Sequence, residues 1–339
     1  RLADGAVICA EGYLFELERR GYLQAGAFVP EAVLERPEAV LQLHRDFVHA
    51  GSDVVEAFTY YAHREKLRLI GRERDLEPMN RQALAIAKTV AEASGTLFAG
   101  DICNTNVWDP GDLASMNAAR AMFEEQVQWA VDAGVDYIVG ETFGYLGEAL
   151  AALATIKAAG KPAVVTMTIH RSGINREGLT PEECAVRLAD AGADVVGFNC
   201  IRGPATMLPH VRRTAARVSG VHLAALPVPY RTTEAQPTFQ SLRDPACDCI
   251  PGGMPFPVAL DPFTCNRFEI AAFTREAAAL GVRYIGLCCG AMPHHIRAVA
   301  EALGRRPPAS RYSADMSKHA FFGTDPSLKK NNQDYAPEL

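Results

Sequence analysis

The sequence predicts an α/β chain closed into a (β/α)8 TIM barrel, with a long loop before the last helix–strand pair and a C-terminal extension. Three observations predict it. A plan of amphipathic helix, Gly, short turn and β-branched run occurs four times, at Ala50–Phe58, Ala133–Thr142, Ala191–Cys200 and Leu280–Gly290. Eight short apolar runs alternate with helical patterns through the chain. The G-x-G-x-x-G turn that opens many doubly wound nucleotide-binding sheets is absent. Eight alternating units favour a closed barrel over an open sheet.

The strand runs, in order, are Ala6–Cys9, Val54–Ala57, Leu97–Gly100, Tyr137–Gly140, Ala163–Thr168, Val195–Phe198, His222–Ala225 and Tyr284–Leu287. They are short and mostly apolar, several of them β-branched, as strands buried on both faces are. Helical periodicity fills the intervals, for example at Met79–Ala93, Ala118–Ala133, Glu182–Ala191 and Arg267–Leu280. In the four repeated phrases the Gly supplies a left-handed helix end. Thr232–Pro262 breaks the rhythm with Pro, Gly, Asp and two cysteines, and reads as an extended loop. After Pro307-Pro308 the chain turns polar. The expected organisation is a barrel over residues 1–306 and an arm over 307–339 that stays mobile or wraps a partner subunit.

Composition narrows the function. The 339 residues are 48% hydrophobic and 22% charged, near the averages for globular chains, and one barrel with insertions fits the length as well as two domains do. Thirty-four basic against 40 acidic residues leave a net charge of −6, and no stretch of five or six clustered basic residues occurs, which argues against nucleic acid and anionic membranes as partners. The longest apolar runs fall far short of a membrane span, and the sequence shows no signal-peptide pattern at its start. A cytoplasmic location is the expectation. Nine cysteines, an odd number without a secretory signature, favour metal binding or catalysis over a disulfide scaffold.

Barrel enzymes keep their chemistry at the C-terminal ends of the strands. The residues just past the runs are therefore informative: Glu11-Gly12-Tyr13, then Phe58 to Tyr61, Asp101 and Asn104, Glu141-Thr142-Phe143, Asn199-Cys200, Pro227 to Tyr230, and Cys288-Cys289-Gly290. Three cysteines, Cys200, Cys288 and Cys289, share this rim. Three thiolates with one open position suit a tetrahedral Zn2+ in a catalytic setting. Buried unreactive thiols or a vicinal redox pair fit the same spacing. Cys9 and Cys184 read as core. Cys103, Cys247, Cys249 and Cys265 fall in loops or near a helix start, and Cys247-Asp-Cys249 is a further metal candidate. A metal held by three thiolates is a poor activator of water but still deprotonates an incoming thiol, so its natural reaction is alkyl transfer to sulfur. Tyr60 and Tyr61, with Phe28 and Phe143, could wall a cage for an onium methyl donor, or simply pack. Glu11 and Glu141 could bind a substrate ammonium, or be solvated or salt-bridged.

At these residues the sequence resembles the betaine–homocysteine S-methyltransferases, within the zinc-dependent homocysteine S-methyltransferase family. The matching pieces are LFELERRGYLQAG (Leu14–Gly26), PEAVLQLHRDFVHAGSDV (Pro37–Val54), FTYYA (Phe58–Ala62), ECAVRLADAGADVVGFNC (Glu183–Cys200) and LGVRYIGLCCGAMPHHIRAVAEAL (Leu280–Leu303). The resemblance implies Cys200, Cys288 and Cys289 as zinc ligands and Tyr61 as the group filling the fourth position until homocysteine arrives. It implies Glu141 as the homocysteine amino-group ligand, and Tyr60 and Phe28 as the donor pocket, with Glu11, Gly12, Thr142 and Asn199 also at the substrates. The family's D-G-G reads Ala10-Glu11-Gly12 here, an aromatic expected after Glu141 is Thr142, and a Trp in the donor pocket is Phe28. These departures leave the metal untouched and fall on the amino-acid and donor pockets. The implied activity is zinc-dependent methyl transfer from an onium donor, glycine betaine first, to homocysteine, giving methionine. S-methylmethionine or dimethylsulfoniopropionate as donor is the alternative, and a non-catalytic zinc-binding barrel the rival. The family's post-barrel arm implies a homodimer or homotetramer.

Overall fold

The structure, a computed structural model, describes residues 1–246 and 248–339. Eight parallel strands form one sheet: β1 (Val7–Ala10), β2 (Val54–Glu56), β3 (Leu97–Cys103), β4 (Tyr137–Phe143), β5 (Ala163–Met167), β6 (Val195–Asn199), β7 (His222–Leu226) and β8 (Val282–Leu287). The hydrogen-bonded order runs β1-β8-β7-β6-β5-β4-β3-β2, so each strand lies beside its sequence neighbour and the sheet curls into the predicted barrel. The seam between β1 and β2 is tied by Asp53. Its N–H donates to Ile8 O at 2.8 Å and its carboxylate accepts the Ile8 N–H at 2.8 Å. Arg305 donates to that same carboxylate and to Ala6 O, fastening the chain after the last barrel helix across the seam.

Helix ends obey the sequence signals. Thr180 and Glu183 make a reciprocal capping box at the start of Pro181–Asp190, as Asn266 and Glu269 do for Arg267–Ala279. All four phrase glycines are left-handed; Gly51 and Gly134 are themselves the C-caps, whereas Gly192 and Gly281 come just after theirs.

The core has two shells. One packs the outer strand faces against the helices; the other fills the barrel with Val7, Val54, Ala99, Val139, Val164, Val195, Ala224 and Tyr284. At the N-terminal end the Tyr137 and Tyr284 hydroxyls meet at 3.0 Å and plug the interior. Side chains alternate along a strand, so two residues beyond each interior residue another points inward, nearer the C-terminal mouth. From Val54, Ala99 and Val139 that parity brings Glu56, Asp101 and Glu141 into the lumen, and from Tyr284 it brings Gly286 and then Cys288.

Thr232–Pro262 forms no strand or α-helix among its described residues. It is closed at its base by a bridge between Tyr230 and Thr264 and folds over the mouth. Residues beyond 307 form short helical segments, the one α-helical stretch being Lys330–Gln333, and add no strand to the barrel. Among the described residues no helix is long and apolar enough to cross a membrane.

Candidate metal and substrate site

The three rim cysteines converge. Cys200, Cys288 and Cys289 bring their sulfurs within 4.8 Å of one another, with Cys200 and Cys288 buried and Cys289 half-buried. Extension of the ladders past the strand ends sets them: the Cys200 N–H donates to Leu226 O at 2.9 Å and the Cys288 N–H to Pro227 O at 3.0 Å. Cys288 and Cys289 sulfurs stand 3.8 Å apart. Hydrogen bonds from Cys288 and Cys289 hold the Cys200 thiol well below its ordinary value, while burial pushes Cys288 up and the bond to Cys200 pushes Cys289 up. One shared thiolate within three sulfurs is a donor set for a soft metal.

Beneath the sulfurs lies a small carboxylate chamber. Glu11, Glu56, Asp101 and Glu141 line it with Tyr60, Cys288 and Cys289, and among the described residues no Lys, Arg or His does. One oxygen from each of Glu56, Asp101 and Glu141 lies within 4.8 Å of the other two, as do Glu11, Glu141 and the Cys288 sulfur. Among the described residues, both Glu11 oxygens and Asp101 Oδ1 lack a hydrogen-bond partner. Burial raises all four carboxyls, with neighbouring acids adding to the effect for Glu11, Asp101 and Glu141; Glu56 is pushed up to about 8. Buried carboxylates without a counter-charge are costly, and a cationic ligand relieves them.

Beside the sulfurs opens a cavity of about 420 Å³ lined by Phe28, Tyr60, Tyr61, Thr142, Cys200 and Cys289, among others. The Tyr60 and Tyr61 rings lie 4.3 Å apart, and Phe28 stacks on Phe15 at 5.6 Å. The Tyr61 N–H donates to Cys103 Sγ at 3.2 Å. Six non-glycine residues have left-handed backbone among the described residues: Phe28, Tyr61, Asn106, Thr142, Cys200 and Ile201. All six line this cavity. Strained backbone of this sort costs about 1–3 kcal/mol per residue and gathers at functional sites.

The other expected site residues sit one layer back. Gly12, at the start of helix Tyr13–Arg19, packs against Ala291, where a Cβ would come within 2.9 Å of the Ala291 methyl. Asn199 is fully buried and lines neither space; it donates to Glu141 and to Thr142 Oγ1. Phe143, expected in the aromatic wall, is not there. A register shift between Gly140 and Phe143, at left-handed Thr142, turns its ring outward against Phe123, 6.0 Å away. Cys103 is not in a loop but ends β3, buried. Cys9 and Cys184 are core, as expected. Cys249 is disulfide-bonded, and Cys247 lies outside the described residues.

Several lining residues carry no advance signal. Phe239 and Phe256 come from the aperiodic loop, packed edge-to-face at 4.9 Å. Trp108, His170 and Arg176 come from loops after β3 and β5. Glu56 does have a signal, since alternation from Val54 makes it an inward residue.

Comparison with known proteins agrees with this arrangement. A family model described as homocysteine S-methyltransferase matches residues 7–303. Betaine–homocysteine S-methyltransferase 1 of Bos taurus is 38% identical over 336 residues, covering 96% of this chain and 78% of that protein. S-methylmethionine–homocysteine S-methyltransferase of Rattus norvegicus is 37% identical over 333 residues, covering 96% and 85%. The metallated homocysteine methyltransferase MmuM of Escherichia coli shares the fold, with a TM-score of 0.67 at 20% identity over 88% of this chain and 96% of that one.

Proposed function

The chain belongs to the homocysteine S-methyltransferase family, and from that premise we propose that it moves a methyl group from an onium donor, glycine betaine first, to the thiol of homocysteine, giving methionine. The observation that carries the reading is the meeting of Cys200, Cys288 and Cys289 beside a cavity walled by aromatic rings.

Zinc is the metal this donor set fits. Zn–S bonds of about 2.3 Å at tetrahedral angles place two sulfurs roughly 3.8 Å apart, and Cys288 and Cys289 stand at 3.8 Å. Zinc bound by these three sulfurs supplies the positive charge that keeps a fourth, incoming thiol deprotonated at neutral pH. The chain does the rest. Tyr61 lines the cavity with Cys200 and Cys289, and in this reading it would fill the metal's fourth position until the acceptor arrives. Glu11, Glu56, Asp101 and Glu141 receive the acceptor's ammonium, and Asn199 holds Glu141 and Thr142 in place for it. Tyr60, Tyr61 and Phe28 face the donor's onium group, each ring face contributing about 0.5–2 kcal/mol. The acceptor sulfur attacks the donor's methyl carbon in line. An S–C bond forms, the onium–methyl bond breaks, and its electron pair stays with the demethylated donor. The thiol proton has left to solvent. Alignment supplies most of the rate.

A sulfonium donor, S-methylmethionine or dimethylsulfoniopropionate, is the second reading. Thr142 and Phe28 stand where the family has larger aromatics, so the donor side departs from the betaine pattern, and a sulfonium is held by aromatic faces as well as an ammonium is. The arm over 307–339 exposes Tyr312, Met316, Phe322 and Tyr335, and serves in this reading as the contact between copies in a dimer or tetramer. A cytoplasmic setting, where homocysteine stays reduced, belongs to the same reading.

Purified protein loaded with one zinc should form methionine from homocysteine and at least one of betaine, S-methylmethionine and dimethylsulfoniopropionate; competition among the three ranks the donor. Zinc retained with no transfer from any donor would make this a non-catalytic metal-binding barrel.

A further inference from the structure

The far side of the cavity, past Thr142, differs in chemistry from its aromatic wall. There His170 and Arg176 flank Gly144: a Cβ on Gly144 would come within 3.1 Å of His170 Nε2 and 3.7 Å of Arg176 Cδ. The Arg176 N–H donates to Gly144 O at 3.1 Å, which pins this stretch of loop to the end of β4. Gly144 is two residues beyond Thr142, a span of at most about 7 Å, and Thr142 is itself hydrogen-bonded to Asn199, next to Cys200. The pair is therefore one small molecule's length from the sulfurs.

Both side chains lack a partner suited to them. Among the described residues Arg176 is the only Arg or Lys lining the cavity. No carboxylate lies within 4 Å of its guanidinium among the described residues; its contacts are the Tyr145 hydroxyl at 3.4 Å and the face of the Tyr145 ring. His170 Nε2 is sealed from solvent and, beyond a weak approach to the Gly144 backbone, has no hydrogen-bond partner among the described residues. Glu148, the one carboxylate that the described residues bring to the cavity lining, is occupied by the Thr105 N–H at 2.8 Å and the Thr105 hydroxyl at 2.6 Å. An unpaired guanidinium beside an unsatisfied imidazole is a site for an anionic group, carboxylate above all.

The layout decides which carboxylate it takes. An acceptor amino acid bears its carboxylate and ammonium on one carbon, and the ammonium belongs in the acidic chamber, which Arg176 and His170 do not line. A donor lying along the aromatic wall has its methyl at the sulfurs and its other end toward Gly144. We propose that Arg176, with His170, clamps the carboxylate of the methyl donor, so that the protein selects zwitterionic onium donors over onium cations with an uncharged tail. This rests on the methyl-transfer reading above and names the donor class within it.

The test pairs glycine betaine with choline, which carries the same trimethylammonium head and a hydroxyl tail. Wild type should bind choline, measured as a competitive inhibitor, far more weakly than betaine. R176Q should raise the KM for betaine roughly ten- to a hundredfold, the worth of a charge-assisted contact, and bring it near the choline inhibition constant, with R176K between and H170Q showing a smaller rise. The homocysteine KM should stay within about twofold. An unchanged betaine KM in R176Q overturns the proposal. So does a parallel loss for choline, or a rise in homocysteine KM instead, which would put the acceptor's carboxylate on Arg176. Wild type inert with every donor removes the methyl-transfer reading and this inference with it, whereas active wild type with an indifferent R176Q removes the inference alone.

Discussion

Asn199 and Glu141 act as one unit: the Asn199 amide donates to a Glu141 carboxylate oxygen and, at 2.9 Å, to the Thr142 hydroxyl, while its oxygen accepts the Thr142 N–H at 3.0 Å. Asn199 thus joins the end of β6 to the end of β4, and holds both the acidic group and left-handed Thr142 where the cavity meets the chamber. It is fully buried, so no water can replace it.

Asn199→Leu should therefore cost about 1–3 kcal/mol of stability, the penalty for stranding its partners. The KM for homocysteine should rise at least about tenfold while bound metal stays stoichiometric. Thermal melts, initial rates and metal analysis check this, and metal lost in step with affinity would count against the assigned division of labour.

Cys289→Ala should abolish stoichiometric metal and methyl transfer together, since two thiolates are a far weaker site than three. Cys184→Ala is the control: that thiol is buried in the core and its contact is the Asn175 amide at 3.5 Å, so metal should be retained. Chelator-released zinc and methionine yield are the readouts.

Gly290 carries φ +91 beside Cys289, and a Cβ there would run into the Tyr230 ring, 2.6 Å from Cζ. Tyr230 cannot swing aside freely, because its hydroxyl accepts from Arg19 at 2.9 Å. Gly290→Ala should lose about 2–4 kcal/mol from left-handed strain and overpacking combined, and weaken metal retention because Cys289 moves. Urea unfolding with and without added zinc separates the two losses.

The barrel was legible because each strand carries its own signal: all eight runs are strands, with ends displaced by no more than three residues. The sulfur trio was legible for a related reason, since strand ends converge on one rim whatever the barrel's details. Glu56 and Asp101 needed strand parity as well as strand ends. Phe143 shows where parity fails, because the left-handed turn at Thr142 reverses the facing of the residue after it. Phe239 and Phe256 could not be read at all. They lie in a segment with neither period 2 nor period 3.6, and only the folded loop brings them to Phe15, which in turn stacks on Phe28.

Acid should expose a buried histidine. His44 is fully buried against Tyr13, ring centroids 4.8 Å apart, with neither nitrogen hydrogen-bonded among the described residues, and burial lowers its pKa to about 3. The unfolded chain takes up the proton near pH 6.5. Its contribution is therefore complete above about pH 6.5 and is lost as pH falls toward 3, a matter of a few kcal/mol at about 1.4 kcal/mol per pH unit. His44→Phe should flatten the decline in urea midpoint from pH 6.5 to 4 relative to wild type. Parallel curves for the two proteins would show that His44 does not titrate on unfolding.

The place where the sulfurs and acids sit is written into the strands, where each inward residue also helps keep the barrel shut. The wall supplied by Phe239 and Phe256 hangs instead from a segment that contributes no strand to the barrel and is pinned at its base by Tyr230 and Thr264. Descent can rewrite such a flap step by step without endangering the scaffold. A lineage built on this plan is free to change what surrenders the methyl while what receives it stays fixed.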